Sequence, residues 1–177
     1  IGFNTSDGRW TYTRRVEYRE DWHHARRLLS LGDSALATAA SDPASAAIKP
    51  TLYPTSADRS AVDRLMEHHS RPVVALAPGS AWQTKRWGGY GELAALLADE
   101  FDIAVVGSAD DLSAAAEITS RVPPERIIDA TGKLSLLGSA ELIRRSVALA
   151  TNDSSPQHLA SAVGTPTVTI FGPTIPE

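Results

Sequence analysis

The sequence predicts an α/β protein built on a doubly wound parallel sheet. Three observations carry that prediction. From Arg71 onward, apolar runs alternate five times with helix-patterned segments across short connections. The runs read as strands buried inside a sheet rather than as strands with one wet face. With 177 residues, of which 42% are hydrophobic, the chain can bury a real core in one domain of ordinary size.

The elements follow in order. Residues 1–20 mix Phe3, Trp10, Tyr12 and Tyr18 with Arg9, Arg14, Arg15 and Arg19, which predicts one or two short strands or an extended arm. Asp21 to Leu31 is helical, with Trp22, Ala25, Leu28 and Leu29 on one stripe. Residues 32–56 are rich in Ala, Ser, Thr and Pro and read as a linker, with extended pairing near Lys49–Tyr53. Ser56 to His69 reads as a helix. Val73–Ala77 is the first strand of the regular region, and Tyr90–Glu100 the helix that follows it. Ile103–Val106 is the second strand, and Asp110 or Asp111 caps a helix that reaches Arg121. Arg126–Asp129 is the third strand, followed by a helix over Leu136–Arg145. Val147–Thr151 is the fourth strand, and Pro156–Val163 a short helix closed by Gly164. Thr167–Phe171 is the fifth strand.

Composition narrows the function. A net charge of −4 argues against a nucleic-acid partner, which usually meets a basic face. With no cysteine, disulfides and thiolate metal sites are excluded. No apolar run approaches the ~20 residues of a transmembrane helix, and no signal peptide is visible. The adjacent pairs His23-His24 and His68-His69 point about 100° apart on a helix, so neither chelates one metal easily; surface positions are expected. The chain begins inside an apparent strand and stops just after a Gly-Pro turn, so a piece of a longer protein is expected.

A sheet of order 3-2-1-4-5 reverses its winding between strands one and four, and ligands sit at that switch point. The loops above those strands are Pro78–Trp87 and Asn152–His158, so two polar loops far apart in sequence are expected to face each other. In the first, Gly79 permits close backbone approach, Ser80 and Thr84 offer hydroxyls, Lys85 is a mobile point charge, and Arg86 could add a fork. A solvated loop with Trp87 packed on the domain fits the same residues. In the second, Ser154 or Ser155 caps a helix whose N-terminus favours an anion such as phosphate. Asp153 accepts N–H groups or a ligand hydroxyl, and His158 sits in the first turn. The plainer reading is a well-capped helix with a structural His. Asp110 and Asp111 lie where α/β proteins often bind a ribose hydroxyl, and serve equally well as helix caps. Gly-x-Gly-x-x-Gly, the phosphate-binding Walker A loop, the nucleophile elbow and the zinc-binding helix motif are all absent from the sequence.

Pro78-Gly79-Ser80, Lys85-Arg86-Trp87, Asn152-Asp153-Ser154, His158-Leu159-Ala160 and Phe171-Gly172-Pro173-Thr174 resemble, in order and spacing, the bacterial lipopolysaccharide heptosyltransferases of glycosyltransferase family 9. The resemblance spans Pro72 to Pro176. It implies a GT-B architecture of two Rossmann-like domains. Residues 1–55 would be the end of the N-terminal acceptor domain with the interdomain linker. Residues 56–177 would be the nucleotide-sugar donor-binding domain, C-terminally truncated. It implies inverting, metal-independent transfer of heptose from ADP-heptose, with no further cofactor, to a lipid-linked core saccharide acceptor. The protein would be cytoplasmic, with peripheral association at the inner membrane. Lys85 would bind the donor phosphates, helped by Ser80 and Thr84. Asp153, Ser154 and His158, with Ser155 among them, would hold diphosphate and sugar, and Asp110 or Asp111 would lie near the adenosine ribose. The family's general base is an aspartate of the N-terminal domain, so no catalytic residue is assigned here and the chain alone is expected to be inactive. The family usually has glycine at Ser155, where a side chain narrows backbone approach and resists positive φ. Other classes compatible with the residues are a UDP-sugar transferase or epimerase of the same architecture, and a non-catalytic nucleotide-binding domain.

Overall fold

Five parallel strands form one sheet in the computed structural model, which describes residues 1–36 and 50–172. Contacts divide the chain into two units, Ile1–Lys49 and Pro50–Glu177. In the first unit, β1 (Gly2–Phe3) and β2 (Arg15–Val16) pair in parallel. Helix α1 (His24–Leu36) begins three residues later than its apolar stripe suggests and runs on through Gly32. Its start is displaced because Trp22 N–H is taken by a turn to Arg19 and Ala25 N–H donates to His23 Nδ1. Trp22 is flanked by the Arg19 and Arg26 guanidinium groups, 5.2 and 4.8 Å from its ring. Most of the 32–56 linker, Lys49 included, lies outside the described residues, and residues 50–53 form no strand.

The second unit opens with α2 (Ser56–Met66), whose first turn is closed by a reciprocal box between Thr55 and Asp58. Then come β3 (Val73–Ala77), α3 (Tyr90–Leu97), β4 (Asp102–Val105) and α4 (Leu112–Thr119). They are followed by β5 (Ile127–Asp129), α5 (Leu136–Arg145), β6 (Ala148–Asn152), α6 (Ser155–Val163) and β7 (Thr167–Ile170). The order β5-β4-β3-β6-β7, all parallel, is the predicted doubly wound arrangement.

The period-two geometry of a strand sorts the apolar run of β3 onto two faces. Val73, Ala75 and Ala77 enter one core with Val62, Ala140, Leu142, Ile143, Leu149 and Ala160. Val74 and Leu76 enter the other with Tyr90, Ala94, Ile103, Val105, Ala115 and Ile118. Burial on both faces is why β3 has no polar residue.

The N-terminal edge of this sheet corrects one expectation. His69 is not a surface residue: its side chain is 11% exposed, with Nδ1 3.3 Å from the Asp102 carboxylate. Asp102, at the start of β4, is buried and also receives Arg126 at 3.3 Å. His68, its neighbour, is exposed as expected.

Candidate functional site

At the opposite edge, the C-terminal ends of β3 and β6 lie side by side, Ala77 beside Thr151. Asn152, the next residue of β6, is wholly buried. Its Nδ2 donates to the Pro78 carbonyl at 2.8 Å and weakly to that of Gly79 at 3.4 Å. Its Oδ1 accepts from Trp87 N–H at 3.1 Å and from the Tyr90 hydroxyl at 3.2 Å. Burial pushes the Tyr90 hydroxyl above its ordinary pKa, which keeps it a donor. One amide therefore fixes both ends of the 78–87 loop against β6. The sequence signalled this role only by placing an amide at the end of an apolar run.

Between the two loops lies a cavity of about 560 Å³. Gly79, Ser80 and Arg86 line it from the first loop, and Ser154, Ser155 and Pro156 from the second. Gly107, Ser108, Asp110 and Asp111 line it from the turn after β4, Leu134 from the loop before α5, and Leu136 and Ser139 from its first turn. Five of the expected site residues, Ser80, Asp110, Asp111, Ser154 and Ser155, thus share one cavity. Its lining is mixed, an apolar wall at α5 and polar groups at the loops, as in a site for a small organic ligand.

Lys85 and Asp153 do not line the cavity. They join the loops beside it, Lys85 Nζ donating to Asp153 Oδ2 at 2.6 Å, with both side chains about a fifth to a quarter exposed. Thr84 and His158 are exposed and outside the lining. Gly172, after β7, packs so closely on the Thr84 carbonyl that an added Cβ would come within 2.7 Å of it. The turn after β7 therefore braces the short 3-10 segment Gln83–Lys85 that carries Lys85.

The two aspartates separate. Asp111 closes a capping box, accepting from the Ser108 N–H and hydroxyl at 2.9 Å each. Its carboxylate also packs on Gly79, where a Cβ would meet it at 2.4 Å. Asp111 is a structural brace between the β3 and β4 loops, and Asp110 is the carboxylate left to face the cavity.

Ser154 is the N-cap of α6, but its side chain makes no capping bond; its hydroxyl lies 3.3 Å from the carbonyls of Gly79 and Asn152. The helix starts at Ser155, so Pro156 is its second residue rather than its first. Ser155 has helical backbone geometry, and the objection that a side chain there resists positive φ does not arise. Its side chain lines the cavity and brings a hydroxyl to it. Among the described residues, no three His, Asp or Glu side chains gather as a metal site. None of the described helices is long and apolar enough to cross a membrane.

Comparisons with known proteins agree with this fold. The family model of glycosyltransferase family 9 (heptosyltransferase) matches residues 1–177. Lipooligosaccharide heptosyltransferase 2 of Haemophilus influenzae is 34% identical over 114 residues, 60% of this chain and 33% of its own length. Among solved structures, the family 9 glycosyl transferase from Veillonella parvula superposes with a TM-score of 0.78 at 22% identity, over 95% of this chain and 49% of that one. The structure of E. coli ADP-heptose LPS heptosyltransferase II superposes with a TM-score of 0.66 at 29% identity, over 75% and 42%. The chain spans about a third of the length of the curated relatives it matches.

Proposed function

The chain belongs to glycosyltransferase family 9, and from that premise we propose that it is the donor-binding part of an inverting heptosyltransferase. The reaction would move heptose from ADP-heptose to the inner core of lipopolysaccharide. The observation that carries the reading is the cavity at the β3/β6 switch point, lined by both loops and the uncapped start of α6. The likeness to the E. coli ADP-heptose LPS heptosyltransferase II favours ADP-heptose over other donors.

In this reading Ser80, Ser154 and Ser155 donate hydroxyls to the diphosphate, and α6 presents its N-terminus to it. Lys85 exchanges Asp153 for a phosphate oxygen, and Asp153 serves the sugar hydroxyls. Asp110 reaches the ribose. His158 and Thr84, outside the cavity, can reach only groups that project beyond it. When the bond from the anomeric carbon to the β-phosphate oxygen breaks, negative charge grows on ADP. Each well-placed donor there lowers the barrier by ~3 kcal/mol. The acceptor hydroxyl is deprotonated by an aspartate that the family resemblance places outside this chain. Transfer needs no metal or further cofactor, and the acceptor is a lipid-linked saccharide at the cytoplasmic face of the inner membrane.

Calorimetry with ADP and UDP tests the reading. ADP is expected to bind and UDP to bind at least tenfold more weakly. Lys85→Ala should weaken ADP by roughly tenfold, the value of one charge-assisted hydrogen bond. Equal binding of UDP would move the reading to another nucleotide-sugar enzyme. No binding of ADP would sink it.

A further inference from the structure

Lys85 and Arg86 are neighbours in sequence, yet they leave the 3-10 segment for different places. Lys85 is paired with Asp153 outside the cavity. Arg86 lines the cavity and, among the described residues that line it, is the only cation. Its Nε donates to the Ser80 carbonyl at 2.8 Å, which anchors the guanidinium to the loop. One Nη lies 3.9 Å from Asp111 Oδ1, close enough for attraction but too long for a hydrogen bond. A guanidinium has five N–H donors in a rigid fork, so most remain available to a planar or tetrahedral oxyanion. Asp111 is itself held by the Ser108 box and cannot follow a ligand. The remaining charges in the lining, Asp110 and Asp111, repel a phosphate, so Arg86 is what makes the interior acceptable to one.

We propose that Arg86 binds the nucleoside-proximal phosphate inside the cavity while Lys85 serves the sugar-proximal phosphate at its edge, so that adjacent basic residues divide one diphosphate between them. The inference rests on the nucleotide-sugar reading above and adds a residue and a division of labour to it. Arg86 is anchored in advance and loses little freedom on binding. Lys85 must first give up Asp153, so it responds only to a ligand long enough to reach it.

The test is a ligand-by-variant matrix read by calorimetry, with AMP and ADP against the wild-type protein, Arg86→Ala, Arg86→Lys and Lys85→Ala. Arg86→Ala should weaken AMP and ADP by the same factor, tenfold or more. Lys85→Ala should weaken ADP tenfold and leave AMP within twofold. Arg86→Lys keeps the charge but loses the fork, and should recover only part of the affinity for both ligands. If Arg86→Ala fails to fold by circular dichroism, the equal loss for AMP and ADP is read from Arg86→Lys instead. AMP affinity unchanged on substituting Arg86, or a loss confined to ADP, overturns the inference and leaves the nucleotide reading standing. A wild-type protein that binds neither nucleotide overturns both.

Discussion

The two edges of the parallel sheet hold charge in opposite ways. At the N-terminal edge, Asp102 is buried between His69 and Arg126. At the C-terminal edge, Arg86 approaches Asp111 in the lining of a cavity of about 560 Å³, and Lys85 meets Asp153 beside it. A carboxylate taken out of water must be matched by fixed partners, and those at Asp102 are consumed in doing so. Pairs that stay partly wet cost less to form and less to break. The difference separates charges that close the domain from charges that a ligand can claim.

Four substitutions break or sharpen this contrast. The largest effect is expected from Asn152→Ala, which strips the open edge of its scaffold. Trp87 N–H, the Tyr90 hydroxyl and the Pro78 carbonyl would each lose a partner. Urea denaturation should show a loss of about 4 kcal/mol, and ADP binding should vanish. If affinity survives, the loop is held by something other than this amide. Next is Asp102→Asn at the closed edge. Here the unfolding free energy should fall by about 3 kcal/mol while ADP affinity stays within twofold. A matching loss of affinity would dissolve the distinction between the edges.

Glu141 extends the closed class to the surface of α5. It is buried, and hydrogen bonds from Arg144 and then Arg145 pull its pKa from 4.5 down to about 2. Arg145 reaches on to Asp63 in α2 at 2.6 Å, which ties the two helices together. Because the folded-state pKa is depressed, this stabilisation is present above pH 4.5 and is lost as pH falls toward 2. Urea midpoints at pH 5 and pH 3 should therefore differ more for the wild type than for Glu141→Gln. Equal differences would remove Glu141 from the acid response. The smallest effect is expected from His158→Ala, which lies outside the cavity: ADP affinity should move by less than twofold. A tenfold loss would bring the first turn of α6 into nucleotide contact.

The strand order was legible because each strand and helix carries its own period and the connections are short. The facing of the two loops followed from that order alone. Three features were not legible, for one physical reason. The bonds of Asn152 run to residues 62 to 74 positions away. His69 meets the carboxylate of Asp102, which opens β4, 33 positions later in the chain. Asp111 is a brace because Gly79 offers no side chain to keep it away. Each depends on contacts between distant segments, and no local pattern encodes them. Likewise nothing in Lys85-Arg86 indicates which of the two enters the cavity.

The adjacency of β3 and β6 also has a consequence in time. Ala77 and Thr151 are partners, yet the ribosome makes them 74 residues apart. At roughly 5–20 residues per second, β3 waits about 4–15 s before its second neighbour exists. During that interval a strand destined for burial on both faces has one open edge, and neither loop has its counterpart. Nucleotide cannot assist this stretch of folding, because its site comes into being only with β6. Crowded or slowed translation should therefore penalise the 73–77 segment first, whatever the cellular supply of donor.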